Sequence, residues 1–206
     1  TLTGQTGLNA SPRLFFGGSD FAFGGAGGVM RAPVYGTDSG FVNAPTGGAL
    51  PAGQDSFSIN GAITAQGSQT VDTLKFNGAQ TLTLASGATL TIRTGAANTD
   101  GAILATGGSS MITGGTGLST GGSGSLTFYV NGEANSLTID TVLTAGTTGG
   151  ITKSGTGTLI LTKDNLQTGT ITLNEGKIQL SGSGDLGAGA SLTIDRKSTC
   201  LNSSHA

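Results

Sequence analysis

GGITKSGTGTLILTKDNLQTGTITLNEGKIQL, residues 149–180, is the stretch that decides the fold of this chain. Its apolar bursts are short, and apolar and polar residues alternate within them, as in Leu159/Leu161 and Ile171/Leu173. A period of two predicts strands that bury one face and expose the other, here rich in threonine. Glycine or asparagine separates the bursts, which is typical of turns. The stretch therefore predicts a series of short strands joined by tight turns.

The composition of the whole chain agrees with many short strands. Of its 206 residues 39 are glycine, 10% are charged, and the net charge is −2. Disordered chains usually combine high net charge with few β-branched residues, whereas threonine, isoleucine and valine recur here. Glycine also recurs too often for helices, since each interior glycine costs roughly 1 kcal/mol relative to alanine. No apolar run reaches the roughly 18 residues of a membrane-spanning helix, and no basic patch favours nucleic acid.

Apolar bursts predict strands along most of the chain. They fall at residues 57–59, 62–65, 71–76, 81–84, 88–92, 102–105, 110–112, 125–130, 136–139, 142–144, 151–154, 158–161, 169–173, 176–180 and 191–194.

Two architectures accommodate so many short strands. A sandwich or barrel needs hairpins, and hairpin-type dipeptides occur at 60–61, 77–78, 100–101 and 131–132. In a solenoid, each strand pairs in parallel with the coil below. The very short strands and the scarcity of aromatic residues favour the solenoid, in which outward threonines stack about every 4.8 Å. The sequence predicts an all-β fold: a right-handed parallel β-solenoid (β-helix) over residues 57–194, with about five coils at three strands per coil and no concave pocket.

The two ends of the sequence differ from its middle. Residues 1–56 contain all four prolines and most of the aromatic residues, among glycine clusters. They predict a loop-rich N-terminal segment or cap whose aromatics cover the apolar end of the solenoid; a ligand platform is the alternative. The chain begins TLTGQTG, without methionine or an apolar leader, which favours a fragment or a processed product.

Residues 195–206, DRKSTCLNSSHA, contain the only cysteine, Cys200, and the only histidine, His205. They resemble translated sequencing-adapter or vector sequence, and the alternative is a natural polar tail. We expect this tail to be artefactual or disordered, and we assign no role to Cys200 or His205.

Residues 150–161 read G-I-T-K-x-G-x-G-T-L-x-L and are followed by T-G-T and by I-T-L-N-x-G-x-I-x-L. This pattern is similar to the autotransporter-associated β-strand repeat of bacterial passenger domains. The matching positions are Gly150, Lys153, Gly155, Gly157, Thr158, Leu159, Leu161, Asn165, Thr168, Gly169, Gly176 and Leu180. Gln167 stands where the family often has tyrosine, which would weaken an aromatic stack along the outer face. Upstream, TLKFNGAQTLTLASGATLTI and GAILATGGSSMITGG resemble the earlier coils of such passengers, and VMRAPVYG resembles their entry segment more weakly. The resemblance spans about residues 20–194.

The resemblance implies a function as well as a fold. It implies a fragment of a secreted passenger that acts as a non-catalytic structural or adhesive stalk at the cell surface. Its partners would be a host or neighbouring-cell surface, matrix or glycan. The full-length protein would carry a signal peptide upstream and an outer-membrane β-barrel translocator downstream. The resemblance implies no catalytic, cofactor-binding or metal-binding residue, and no cofactor.

The residues of the motif also permit local predictions. Gly155 and Gly157 flank a corner, where positive φ lets the chain turn sharply. Asn165 lies at a turn, where its side chain can bond its own backbone. We expect Lys153 and Lys163 to point to solvent and to hinder association between sheet edges.

A β-helix polysaccharide lyase or glycosidase is the enzymatic alternative. Such an enzyme needs two or more acids close together on one face. The acids here are sparse and lack D-x-D or E-x-x-D spacing, and Asp72 and Lys75 look like an isolated pair on a solvated face.

Three further functions are weaker alternatives. An ice- or crystal-binding solenoid would use T-x-T ranks, but irregular spacing predicts threonine rows out of register. A calcium repeat would begin at GSGDLGAGA, residues 182–190, but the motif occurs once and favours a turn. Nucleotide binding is disfavoured because GxxxxGK[ST] is absent.

Overall fold

The computed structural model describes residues 12–25, 29–53, 55–95, 99–144, 147–188 and 191–194, and the backbone of 198–202. All regular structure within these ranges is strand, and they contain no helix long and apolar enough to cross a membrane. The strands are β1 Phe15–Phe16, β2 Asp20–Phe21, β3 Phe23–Gly24, β4 Met30–Arg31, β5 Phe41–Asn43, β6 Ser56–Ile59, β7 Ile63–Gln66, β8 Gln69–Val71, β9 Thr73–Asn77, β10 Thr81–Leu84, β11 Thr89–Ile92, β12 Gly101–Thr106, β13 Ser109–Gly114, β14 Gly117–Ser119, β15 Leu126–Val130, β16 Ser136–Asp140, β17 Ile151–Ser154, β18 Thr158–Leu161, β19 Ile171–Leu173, β20 Gly176–Leu180, β21 Leu192–Ile194 and β22 Ser198–Asn202.

Three parallel sheets run along the molecule. The first sheet has eight strands in the order β21-β19-β17-β15-β12-β9-β6-β5, and the second has seven in the order β22-β20-β18-β16-β13-β10-β7. The third sheet contains only β14, β11 and β8. From β6 onwards, consecutive strands of the chain lie in different sheets, whereas neighbours within a sheet belong to successive coils. This is the topology of a parallel β-solenoid and confirms the predicted all-β fold class.

The predicted number of about five coils is too low. The first sheet alone stacks eight strands. The estimate assumed three strands in every coil, but after β14 the third side continues only as irregular chain, with Leu118 bridged to Leu143 and the Leu166 N–H donating to the Leu143 carbonyl at 2.8 Å. The later coils therefore use two strands each.

The asparagine-glycine dipeptides lie at coil corners instead of hairpin turns. Asn77 ends β9 of the first sheet, and Gly78, at φ 89°, leads the chain towards β10 of the second. Asn77 Nδ2 donates to Asn60 Oδ1 at 3.0 Å, and Asn60 Nδ2 donates to Asn43 Oδ1 at 3.2 Å. These amides form a ladder that ties the first three coils together at one corner.

The interior of the coils is a continuous aliphatic and aromatic stack. One inner column of the first sheet runs through successive coils in register and is fully buried; its members are Phe57, Leu74, Ile103, Phe128, Lys153 and Leu173. Ile112, Ile139 and Leu161 form a facing column in the second sheet. The predicted alternation of buried aliphatic and outward threonine residues is confirmed in strands such as β10 and β11.

The N-terminal segment takes two positions. Phe41, Ala44 and Leu50 are buried at the first coil. The antiparallel hairpin β1–β2, in contrast, lies against the side of the solenoid: Phe21 packs with Ala102 and Leu104 on the outer face of β12. Both faces of β12 are consequently buried. β5 already pairs with β6, so the stack begins before the predicted boundary at residue 57.

The C-terminal tail contains a strand. Ser198–Asn202 pairs in parallel with β20, although the sequence predicts no regular structure there. His205 lies outside the described residues, and the origin of the tail stays a prediction.

Ile139→Ala tests which face of β16 is inside. Ile139 is 1% exposed, so truncation should lower the free energy of unfolding by about 2–5 kcal/mol, as is usual for buried isoleucine. Its neighbour Thr138 is only half-buried, and Thr138→Ala should change the value by about 0.5 kcal/mol or less. Urea denaturation followed by circular dichroism measures both. Equal losses would contradict the described orientation of the strand.

Candidate functional site: lysine corner and lateral cleft

The lysine of the repeat-like motif lies inside the solenoid. Lys153 is fully buried between Phe128 and Leu173 of the neighbouring coils. Its ammonium group donates to the carbonyl oxygens of Ser154 at 2.7 Å, Gly155 at 2.7 Å and Glu175 at 3.2 Å. The first two belong to its own corner and the third to the corner of the next coil. Lys153 thus ties two successive coils together, and the prediction that it points to solvent is wrong.

Three glycines allow the chain to pack closely around this ammonium group, and Gly176 lies directly against it. A Cβ on Gly176 would lie 2.4 Å from the carbonyl oxygens of Gly155 and Gly157 and 2.9 Å from Lys153 Nζ. Gly155 has φ of 77°, as predicted for a corner. Gly157 does not have a positive φ; its role is close packing, because a Cβ would lie 2.5 Å from Val130 Cγ1. We call Lys153, Gly155, Gly157 and Gly176 the lysine corner.

Burial changes the protonation of this lysine. Loss of hydration lowers the pKa of Lys153 to about 8, against a smaller opposing effect of the Glu175 charge. A lysine with a lowered pKa can act as a nucleophile or base in other settings. Here the three donor positions of the ammonium group meet carbonyl oxygens and no part of the side chain reaches solvent. The geometry serves packing between coils.

Asn165 performs a similar task on the third side. Its Oδ1 accepts from the Leu143 N–H at 2.8 Å, in the preceding coil, and its Nδ2 donates to the Asp185 carbonyl at 2.7 Å, in the next. The prediction that Asn165 bonds its own backbone is therefore wrong. The side chain takes the place of strand pairing where the third sheet has ended.

Gln167 is buried as well, so its predicted position on the outer face is wrong. Its Nε2 donates to the Leu186 carbonyl, and its Oε1 has no hydrogen-bond partner. Gln167, like Asn165, uses its amide to join the irregular third sides of successive coils.

The remaining motif positions support the same stack. Leu159 and Leu161 are buried in the core, and Leu180 packs against it. A Cβ on Gly169 would lie 2.3 Å from the Gly150 nitrogen, so these two glycines let adjacent coils approach closely. Thr158 is half-buried and Thr168 exposed.

The outer face of the first sheet changes character along its length. Over β9, β12 and β15 the N-terminal hairpin covers it; beyond β15 it is open and bears Thr152, Ser154, Thr172 and Asn174. At this boundary lies a shallow cleft of about 290 Å³, which we call the lateral cleft. Its lining is Arg13, Phe15, Thr127, Tyr129, Thr152, Ser154, Thr172 and Asn174. The sequence-based expectation that the stack lacks a concave pocket is therefore wrong.

Threonines of the lateral cleft are in register. Thr127 pairs with Thr152, Thr152 with Thr172, and Thr172 with Thr193. The predicted loss of register between threonine rows is wrong for this face. The neighbouring outward row on the same face contains no threonine. Tyr129 pairs with Ser154 there, and Asn174 Nδ2 donates to Ser154 Oγ at 3.3 Å.

A polar cluster fastens the N-terminal segment to the side of the stack. Lys75 Nζ lies 2.5 Å from Asp20 Oδ2, and the Tyr35 hydroxyl donates to Asp20 Oδ1 at 3.3 Å. Burial, with the nearby Asp20 charge, raises the pKa of Tyr35 far above its usual range. Lys75 therefore pairs with Asp20 and not with Asp72, whose Oδ1 accepts from the Gly95 N–H at 3.3 Å. Sequence reasoning missed Asp20 because 55 residues separate it from Lys75.

Asp140 lies beside a second shallow cleft, of about 190 Å³. Its carboxylate accepts from Thr162 Oγ1 at 2.6 Å and Thr113 Oγ1 at 2.7 Å, and Lys163 Nζ is 2.9 Å away. The hydrogen bond from Thr162, with help from Lys163 and Thr113, lowers the pKa of Asp140 to about 2 against the effect of burial. These contacts join successive coils. Half-exposed Lys163 points outward as predicted.

The described residues contain no group of three or more His, Cys, Asp or Glu side chains that could hold a metal ion. Asp185, in the segment that resembles a calcium loop, accepts from the N–H groups of Asn165 at 2.7 Å and Gly187 at 2.9 Å, as in a turn.

Known proteins give no further assignment. No family model matches the sequence, and neither a curated protein nor a solved structure is significantly similar to it.

Lys153→Met tests the lysine corner. The variant leaves three buried carbonyl oxygens without their donor, so at pH 7 the free energy of unfolding should fall by about 1–3 kcal/mol. The folded-state pKa of about 8 lies below the usual 10.5, so the unfolded chain binds more protons between these values. The free energy of unfolding of the wild type should therefore rise relative to that of the variant from pH 8 to pH 10.5, and this gain should disappear as the pH falls back to 8.

Urea denaturation at pH 7 and pH 10 measures this difference. Lys163→Met is the matched control, because that lysine is half-exposed and its loss should not change the pH dependence in this way. A wild-type and Lys153→Met difference that is the same at both pH values would contradict the buried position of Lys153.

Asn165→Ala tests the irregular third side. It removes two side-chain bonds to backbone groups of neighbouring coils and should lower the free energy of unfolding by about 1–3 kcal/mol. Asn174→Ala, at an exposed asparagine, should cost about 0.5 kcal/mol or less. Hydrogen exchange at the Leu143 amide reports directly on the lost bond, and unchanged protection there would argue against it.

Proposed function

We propose that this chain is a non-catalytic structural and adhesive stalk, a fragment of a secreted, cell-surface passenger of the autotransporter type. The observation that carries the proposal is the use of the motif. Lys153, its glycines and Asn165 all make contacts between coils, and the exposed faces carry hydroxyl and amide groups with few charges. A repeat whose distinctive residues serve stacking suits a protein that extends by adding coils.

The charged groups of the described coils support a structural role. Asp20 is paired with Lys75, Asp38 with Arg31, and Asp140 with Lys163. The first pair joins segments 55 residues apart and the last joins adjacent coils, whereas Asp38 and Arg31 fasten the N-terminal segment to itself. A lyase or glycosidase would instead place two carboxyl groups around an open substrate site.

An ice- or crystal-binding solenoid is the second candidate, favoured by the threonine rank at Thr127, Thr152, Thr172 and Thr193. A single rank presents less regular surface than the paired ranks such a function would use. Inhibition of ice recrystallisation by the purified chain would support this candidate over the adhesive one.

Adhesion and turnover can be measured on the same preparation. Beads coated with the folded chain should be retained on layers of bacterial or host cells better than beads coated with chain unfolded before coupling. Pectin, alginate and β-glucan incubated with the chain should yield no new reducing ends and no unsaturated products. Release of either product would contradict the stalk and favour the enzyme, and equal retention of the two bead types would contradict adhesion.

A further inference from the structure

We propose that the lateral cleft binds a neutral glycan chain that runs along the stacking axis of the solenoid. The proposal rests on the proposed adhesive function and names a partner class and a site for it. Its components are a rank of hydroxyl groups, an aromatic wall and a cation that is already paired.

The hydroxyl rank supplies polar contacts at a regular spacing. Thr127, Thr152 and Thr172 come from three successive coils, with Ser154 and Asn174 alongside. Parallel strands are about 4.8 Å apart, a distance comparable to the length of one sugar ring. Each ring of a linear glycan can therefore meet one coil, with a hydroxyl or amide group that can donate or accept.

One of these hydroxyl groups lacks a partner in the protein. Thr127 lies at the covered end of the cleft and is 3% exposed, and its Oγ1 has no hydrogen-bond partner. A buried hydroxyl without a partner is costly, so rotation of this side chain towards a ligand hydroxyl at the end of the cleft would be favourable.

The aromatic wall supplies an apolar surface. The rings of Phe15 and Tyr129 are 4.2 Å apart between centroids and tilted by 32°. Phe15 supports one side of Tyr129, while the small residues Ser154 and Gly155 lie on the other. A Cβ on Gly155 would lie 3.2 Å from Tyr129 Cε1, so glycine lets the next coil lie close to the ring, which stays half-buried and lines the cleft. The C–H face of a sugar fits such a ring, and the phenol adds a polar end.

The charges of the cleft favour a neutral ligand. Arg13 is the charged residue in the lining, and its Nη2 lies 2.9 Å from Asp100 Oδ2. An anionic glycan would have to compete with Asp100 for this guanidinium group. Burial raises the pKa of the Tyr129 phenol, and the nearby Glu175 charge adds to this effect.

Oligosaccharide titration tests the cleft. The probes are cellohexaose, laminarihexaose and mannohexaose, with hexagalacturonate as the anionic comparison. Calorimetry and saturation-transfer NMR should show binding of at least one neutral probe at concentrations up to about 10 mM, and weaker binding of hexagalacturonate. Because the chain has no tryptophan and two tyrosines, a Tyr35→Phe background isolates the fluorescence of Tyr129, which should change on binding.

Thr172→Phe fills the cleft and should weaken binding by about tenfold or more. Thr138→Phe is the matched control: Thr138 is a half-buried, outward threonine of the second sheet, outside the cleft. Circular dichroism and urea denaturation verify that both variants fold.

Three results would overturn the proposal. They are the absence of binding by any neutral probe, tighter binding of hexagalacturonate, and an affinity that Thr172→Phe and Thr138→Phe change equally. Bead retention without oligosaccharide binding would refute the cleft and leave the adhesive function intact. Oligosaccharide binding without bead retention would support the cleft and refute adhesion.

Discussion

Backbone pairing between successive coils is the constraint on which this structure depends. Each interior strand of the two long sheets pairs with the strands of the coils before and after it, so the coils must stay close together all the way round. Side chains that would separate the coils are therefore excluded where backbones approach. A Cβ on Gly169 would lie 2.3 Å from the Gly150 nitrogen, and a Cβ on Gly149 would lie 2.1 Å from the Ser123 carbonyl oxygen. Such close approaches of backbone explain why glycine is so frequent.

The same constraint explains the buried polar residues. At corners and on the third side the chain departs from the ladder, and its carbonyl and N–H groups need other partners. Lys153 supplies three donors to carbonyl oxygens, and Asn165 supplies both a donor and an acceptor. Burial of a lysine is costly, but three carbonyl oxygens within hydrogen-bond distance compensate for the lost water.

Local sequence patterns predicted the strands well because alternation depends only on near neighbours. β10, β17, β18 and β20 have the predicted bounds. The same alternation, counted from Ile151, places Lys153 on the inner face, and this signal was outweighed by the usual preference of lysine for solvent. The carbonyl oxygens that make its burial tolerable come partly from the next coil, at Glu175, and no local pattern reveals them.

The cleft could not be predicted because both of its walls depend on distant contacts. The alternation in β15 does place Tyr129 outward, since Phe128 and Val130 are inward. Its contact with Phe15, however, joins residues more than a hundred positions apart. The sequence signal for such a contact is an outer face that departs from the usual polar pattern. Ala102 and Leu104 are apolar where threonine would be usual, and apolar residues on an outer face require another segment to bury them.

The extent of that cover determines where binding can occur. Ala102 and Leu104 hold Phe21, and through it the hairpin, over the middle coils. One coil further, Tyr129 still offers a ring to Phe15, but the next residue in the same rank is Ser154, which gives the hairpin nothing apolar to contact. The hairpin therefore ends where the outer face becomes polar, and its last aromatic ring stands beside the first uncovered threonine coil. An aromatic wall next to a hydroxyl rank is thus a direct consequence of the change from leucine to tyrosine to serine along one outward column.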